Sequence, residues 1–180
     1  FVMCTHMHGD HVGWNTVQKD GRWVPTFPNA RYIFGAIEYD YWLNNPDPSP
    51  IRRNAFNDSV LPVVESGQAV MVDDGYELDD ALSVVLAPGH TPGNATIRLK
   101  DGDDVAMFAG DAIHHPIQIW RPDWSTSACT DPVQSRASRF RLLETCCEHN
   151  ALLVPAHFAP PHAGHVREEG DGFRFEWLKV

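Results

Sequence analysis

Residues 5–11 read Thr-His-Met-His-Gly-Asp-His and bring His6, His8, Asp10 and His11 within six positions. Imidazole nitrogens and carboxylate oxygens together suit Zn²⁺, Fe²⁺ or Mn²⁺. One stray His-X-His means little in a chain with ten histidines. Four donors in six positions at a strand end mean more, and point to a metal site. Further donors stand alone downstream: His90 in Pro-Gly-His-Thr-Pro-Gly, Asp111 after Gly110, and His157 after Pro155-Ala156. No residue has the setting of a protein nucleophile, and the Gly-X-Ser-X-Gly pattern is absent.

The pattern His6-X-His8-X-Asp10-His11, followed in order by His90, Asp111 and His157, resembles the signature of the metallo-β-lactamase-fold hydrolases. The resemblance implies an αββα sandwich and two divalent metal ions, zinc first, with iron or manganese as alternatives. It assigns His6, His8 and His90 to one metal and Asp10, His11 and His157 to the other. Asp111 and a water or hydroxide would bridge them, a two-metal clamp. It also implies a catalytic role for Asp10, which would hand a proton to the leaving group. Two positions discriminate within the family, and a third departs without consequence. Asp111 stands where many β-lactam-cleaving members have cysteine, which argues against antibiotic hydrolysis. His8 stands where redox di-iron members have glutamate, which argues for hydrolysis. Asn94 stands where the Gly-His-Thr-Pro-Gly motif often continues with histidine, a position outside the ligand set. The implied reaction is hydrolysis of an ester-like bond in a lactone, carboxylic ester or organophosphate. A glyoxalase II type thioesterase, phosphodiester cleavage and a non-hydrolytic or redox di-iron domain are the alternatives.

Each donor must be delivered by an element. Residues 1–5 are apolar and β-prone and read as a buried strand that ends at the His cluster. Residues 12–15 read as the turn or helix start that closes the cluster, and 21–28, with two prolines and two large aromatics, as a stiff loop. A strand is expected over 30–34 and a short helix over 36–43 with Ile37, Tyr41 and Trp42 inward. The proline-rich 45–50 reads as a loop, 52–64 as a helix interrupted at Pro62, and 68–72 as a strand. Strands over 82–86, 105–109 and 151–156 then deliver His90, Asp111 and His157, and glycines before His90 and Asp111 free the backbone there. Residues 95–109 read as a hairpin about Asp101-Gly102. Asp131-Pro132 opens a helix ending near Asn150, with Val133, Ala137, Phe140, Leu143 and Cys147 expected to face inward. Residues 166–177 close the chain as a hairpin. His114 and His115 either line the pocket or belong to a polar loop; His149 suits a helix C-terminus, and His162 and His165 read as loop residues. Phe27, His115, Trp120 and Trp124 are candidates for substrate contacts and an apolar wall.

At 180 residues the chain is expected to form a single domain over 1–180, and its 43% hydrophobic and 21% charged composition is that of a globular protein. The net charge is −10 and no basic face is visible; binding to backbone phosphates wants the opposite sign. The partners expected are a small-molecule substrate and, as a homodimer, a second copy of the chain, with no nucleic acid and no membrane. No apolar run has the length of a membrane span. Cys4, Cys129, Cys146 and Cys147 form no Cys-X-X-Cys and read as reduced thiols of a cytoplasmic protein. The family places a β-rich segment before its metal motif, so the expected fold is an N-terminally truncated domain.

Overall fold

The structure, a computed structural model, describes residues 1–45 and 50–179. The chain groups into two compact units, Phe1–Asp73 and Asp74–Val180.

The first unit is built on a parallel three-stranded sheet in the order β1 (Val2–Met3), β4 (Tyr32–Gly35), β5 (Ala69–Val72). Between β1 and β4 come a one-turn helix α1 (Gly9–Val12) and a hairpin of β2 (Thr16–Lys19) and β3 (Arg22–Pro25). Between β4 and β5 come α2 (Ala36–Asn44), α3 (Pro50–Ser59) and α4 (Leu61–Glu65). Its core packs Met7, Val12, Phe34, Trp42, Phe56 and Val63.

Several expectations are corrected here. The strand in 1–5 is only two residues long and half-buried, and Phe1 is exposed. Among the described residues it pairs with β4, at one end of the strand order. The loop expected over 21–28 is in part a strand. Asp20 and Gly21 both take positive φ, 51° and 75°, the two-residue turn that matches strand twist. In α2 the residue that turns inward beside Trp42 is Glu38, while Ile37 is 48% exposed. Pro62 interrupts the next helix as expected, and sits in the first turn of α4, where its missing N–H is harmless. Most of the loop expected over 45–50 lies outside the described residues.

The second unit is a six-stranded sheet in the order β11-β10-β9-β8-β7-β6. Its strands are β6 (Leu82–Leu86), β7 (Ala95–Asp101), β8 (Asp104–Gly110), β9 (Leu152–Pro155), β10 (Gly164–Glu169) and β11 (Gly172–Trp177). All neighbours are antiparallel except β8 and β9. A parallel pair needs a long crossover, which here holds α5 (Ile117–Trp120) and α6 (Pro132–Glu148). The 95–109 hairpin turns at Gly102-Asp103, one residue later than expected, since Asp101 pairs with Asp104. Leu142, Leu143 and Cys146 of α6 pack with Met107, Leu153 and Val166 of the sheet.

The α6 helix starts as the sequence suggests. Asp131 caps it, accepting from Val133 N at 2.9 Å and Gln134 N at 3.0 Å. Its buried face differs from the expected one. Val133 is 69% exposed, and Ser135, Ser138 and Arg139 are buried with Leu142, Leu143 and Cys146. Periodicity of apolar residues misses this because the first half of the helix packs against backbone carbonyls, which want donors. His165 lies on β10, not in a loop. Among the described residues no helix is long and apolar enough to cross a membrane.

Candidate metal centre

In the first unit the chain leaves β1, passes Cys4 and Thr5, and buries His6. His8 stands at the N-cap of α1, and Asp10 and His11 lie in its single turn. His6 Nε2 comes to 3.1 Å from His8 Nδ1. The His6 and His11 rings are 4.1 Å apart between centroids, and His11 Nε2 is 3.4 Å from Asp10 Oδ2. His6 Nδ1 meets the Thr5 hydroxyl at 3.2 Å, which leaves Nε2 for a cation. His8 offers Nδ1 to the same place. Two imidazole nitrogens this close either share a proton or share a metal, and a carboxylate beside them adds a hard oxygen donor.

This turn is held from below by a group that sequence reasoning missed. Glu38, 1% exposed, accepts from the Met7 backbone N–H at 3.0 Å and from the Trp42 indole N–H at 2.7 Å. Met7 separates His6 from His8, and Trp42 presses edge-on against the His8 ring at 5.7 Å. The signal was an acidic residue among the apolar positions of α2, where a solvated glutamate was the natural assumption.

In the second unit β6 ends before Pro88-Gly89-His90. Gly89 has φ 125°, and a Cβ there would lie 2.1 Å from Ser135 N. Only glycine allows α6 to approach the turn that aims His90. β8 ends at Gly110, φ 49°, and delivers Asp111, whose side chain is 5% exposed. Three imidazoles surround it. His90 Nε2 and His114 Nε2 are each 3.2 Å from Oδ2, and His157 Nε2 is 3.0 Å from Oδ1. His114 and His157 stack, interplanar angle 3°. The sequence left His114 open between pocket and loop; its place at i+3 from Asp111 just after a strand end was the available signal.

Behind His90, the Cys129 sulfur sits 3.8 Å from Nδ1 and 3.4 Å from the Ser135 hydroxyl. Burial disfavours a charged imidazole, yet Asp111 and Cys129 outweigh it and raise His90 to about 9. Burial likewise raises the Cys129 thiol, and His90, Ser135 and Thr126 pull it down to about 6. Nδ1 thus has a partner of its own, which fixes Nε2 as the outward nitrogen, the usual arrangement for a metal-ligating histidine.

The segment carrying His114 is pinned by Arg139, fully buried on α6. Its guanidinium donates to Ala112 O at 2.9 Å, to Pro122 O and Trp124 O at 2.7 Å each, and to Ser135 Oγ at 3.1 Å. Gln118 assists, accepting from the His114 and His115 backbone N–H groups.

Of the proposed substrate contacts, Phe27, Trp120 and Trp124 each expose a large apolar ring. Trp124 is covered in part by the Arg121 guanidinium at 5.1 Å. His115 is exposed, and its Nδ1 accepts from the Ile117 N–H at the start of α5 at 3.1 Å.

The sequence profile of the metallo-beta-lactamase superfamily matches residues 1–157. Among solved structures the chain is similar to AidC, a dizinc quorum-quenching lactonase in complex with a product, at 27% identity and a TM-score of 0.81. It is similar in fold to the hydrolase AbOPH, at 23% identity and a TM-score of 0.83, and to a probable metal-dependent hydrolase from Staphylococcus aureus, at 20% identity and a TM-score of 0.79. Each of the three covers 99% of this chain, whereas the chain covers 64%, 64% and 63% of theirs, less than two thirds of their length. No curated protein sequence matches. A profile match over most of the chain, on a mixed α/β fold shared with these hydrolases, shows that the chain belongs to the metallo-β-lactamase superfamily.

Proposed function

We propose that the chain is the metal-holding part of a dinuclear, metal-dependent hydrolase of an ester-like bond, with a lactone as the first substrate class and carboxylic esters and organophosphates beside it. The observation that carries the reading is Asp111, a buried carboxylate with three imidazole nitrogens at 3.0–3.2 Å. So many cation-seeking donors around one acid suit a bridging ligand. The similarity to a dizinc lactonase favours zinc and a lactone; the all-nitrogen-and-oxygen donor set also accepts iron or manganese.

In this reading His6, His8 and His90 hold one cation, Asp10, His11 and His157 the other, and Asp111 spans both. Two bound cations would lower the pKa of a shared water toward neutrality and polarise the carbonyl or phosphoryl oxygen of the substrate. The protein's own residues do the rest. Asp111 is buried, with His90 and His114 at one carboxylate oxygen and His157 at the other. Asp10, with a side chain 59% exposed, would pass a proton to the leaving alkoxide. Cys129 and Thr5 fix which nitrogens of His90 and His6 face outward. Phe27, Trp120 and Trp124 offer apolar surface to an acyl chain.

The test is metal analysis of the purified protein joined to a panel of lactones, aryl esters, phosphotriesters and thioesters. Two metals per chain and turnover of lactones or aryl esters are expected, with both lost in Asp111→Ala. One metal in fully active protein overturns the dinuclear reading. Turnover of thioesters alone favours the glyoxalase II alternative, and reversible redox changes of bound iron favour the di-iron one.

A further inference from the structure

We propose that the groove between α6 and the β6–β8 part of the sheet is a binding site for a small organic anion with an apolar stem, a short-chain carboxylate. The groove encloses about 250 Å³ and lies wholly within the second unit. Arg98 enters it from β7, Arg141 and His149 from α6, and Val85, Met107 and Leu142 supply apolar walls. Among the described residues no carboxylate lines it, in a chain of net charge −10.

The decisive group is Arg98. Its Nε is buried and makes no hydrogen bond. Four other arginines of this unit have partners: Arg121 pairs with Asp123, Arg167 and Arg174 with Glu176, and Arg139 with three carbonyls. Arg141 reaches only the Ser138 hydroxyl, at 3.1 Å, on its own helix. An N–H withdrawn from water without an acceptor has lost solvation and gained nothing. Half-buried Arg98 and exposed Arg141 bring two positive charges to one groove with no acid among its lining residues, an arrangement that a bound anion would relieve.

The walls say where each part of the ligand goes. His149 is the C-cap of α6, where a cation complements the helix dipole and an anion is disfavoured. The head therefore belongs toward Arg98 and Arg141, which can take a carboxylate bidentately. The stem then lies on Val85, Met107 and Leu142. The volume falls below the roughly 300–1,000 Å³ common for drug-sized ligands, so the stem is short. None of the seven proposed metal ligands takes part, so the site stands or falls apart from the proposed reaction.

The experiment is an amide-resolved NMR titration of the metal-loaded full chain with hexanoate, hexan-1-ol and inorganic phosphate. Saturable hexanoate shifts are expected at residues 96–98 and 138–142. Arg98→Met should weaken binding about tenfold or more and Arg98→Lys less, with metal content unchanged in both. If Arg98→Met fails to fold, Arg141→Met on the exposed side of the groove carries the same readout. Hexanoate shifts confined to residues near His90, Asp111 and His157 overturn the site, because the carboxylate is then only meeting metal. Hexanol binding as well as hexanoate overturns the anion, and phosphate binding better than hexanoate overturns the stem.

Discussion

Asp10 and Asp111 carry the same functional group into opposite surroundings. Asp10 stands at the solvent end of a one-turn helix, and Asp111 is buried beneath three imidazoles. A group that delivers protons needs access to water and substrate, while one that spans two cations needs rigidity. If Asp10 protonates the leaving alkoxide, Asp10→Asn should cost about 10²–10³ in rate on alkyl esters and lactones. Aryl esters, whose leaving groups need no proton, should lose far less. Equal losses across a leaving-group series would show that Asp10 acts only through metal. Glu38 works one step further back. It holds the backbone between His6 and His8 and the indole that backs His8. Glu38→Leu should therefore weaken metal affinity about 10–100-fold, with Glu38→Gln milder because one oxygen remains to accept. Chelator-competition titration on folded protein reads this directly, and unchanged affinity in Glu38→Leu would remove the role. The donor types of the metal motif can be read from the chain because ligand chemistry is local. Glu38 and Cys129 cannot, because each acts through a partner distant in sequence, and His114 stays open between pocket and loop until the turn after Asp111 is defined.

At the scale of elements, α6 shows where sequence patterning stops. Its cap is legible, since an Asp-Pro pair states an N-terminus in two residues. Its inner face is not, because burial there follows hydrogen bonding. Ser138 donates to Pro88 O at 2.7 Å and Arg139 serves the segment from Ala112 to Trp124. The strands delivering His90, Asp111 and His157 were legible as short apolar runs. The β2–β3 hairpin was missed although its Asp20-Gly21 turn carries the same kind of cue as the hairpin that was found; Pro25 and Pro28 drew the reading toward a loop. The weight on Arg139 can be measured. Arg139→Leu leaves Ala112 O and Pro122 O without their donor, at about 1–3 kcal/mol for each that stays dry, while Trp124 O keeps the Gln118 amide. A loss near 3 kcal/mol would lower Tm by roughly 6–12 °C in a chain of this size. Thermal unfolding of metal-loaded protein should show it, and a Tm within two degrees of wild type would mean that water replaces the guanidinium.

For the whole molecule, charge decides what can approach. Arg and Lys number 14 against 24 acids, and several of the arginines are spent internally. Arg139 is buried against carbonyls, and Arg121, Arg167 and Arg174 are neutralised by Asp123, Glu169 and Glu176. The groove with Arg98 and Arg141 is a local exception, too small and too apolar to follow a polyphosphate backbone. Binding to nucleic acid draws on released counterions, one for each phosphate met by a cation, so an acidic surface forfeits the driving force. The superfamily match leaves substrate class open, so this is a real discrimination. The expected outcome is no saturable binding to duplex DNA or RNA oligonucleotides at about 0.15 M salt, where charges are screened beyond roughly 8 Å. Lowering the salt should not rescue it, because the unscreened field of a −10 chain repels the polymer. Neutral lactones and esters feel no such field, so their turnover should change little across the same salt series. Micromolar binding to either polymer that weakens steeply with salt would overturn the prediction. It would also return phosphodiester cleavage to the reactions this metal centre must be tested for.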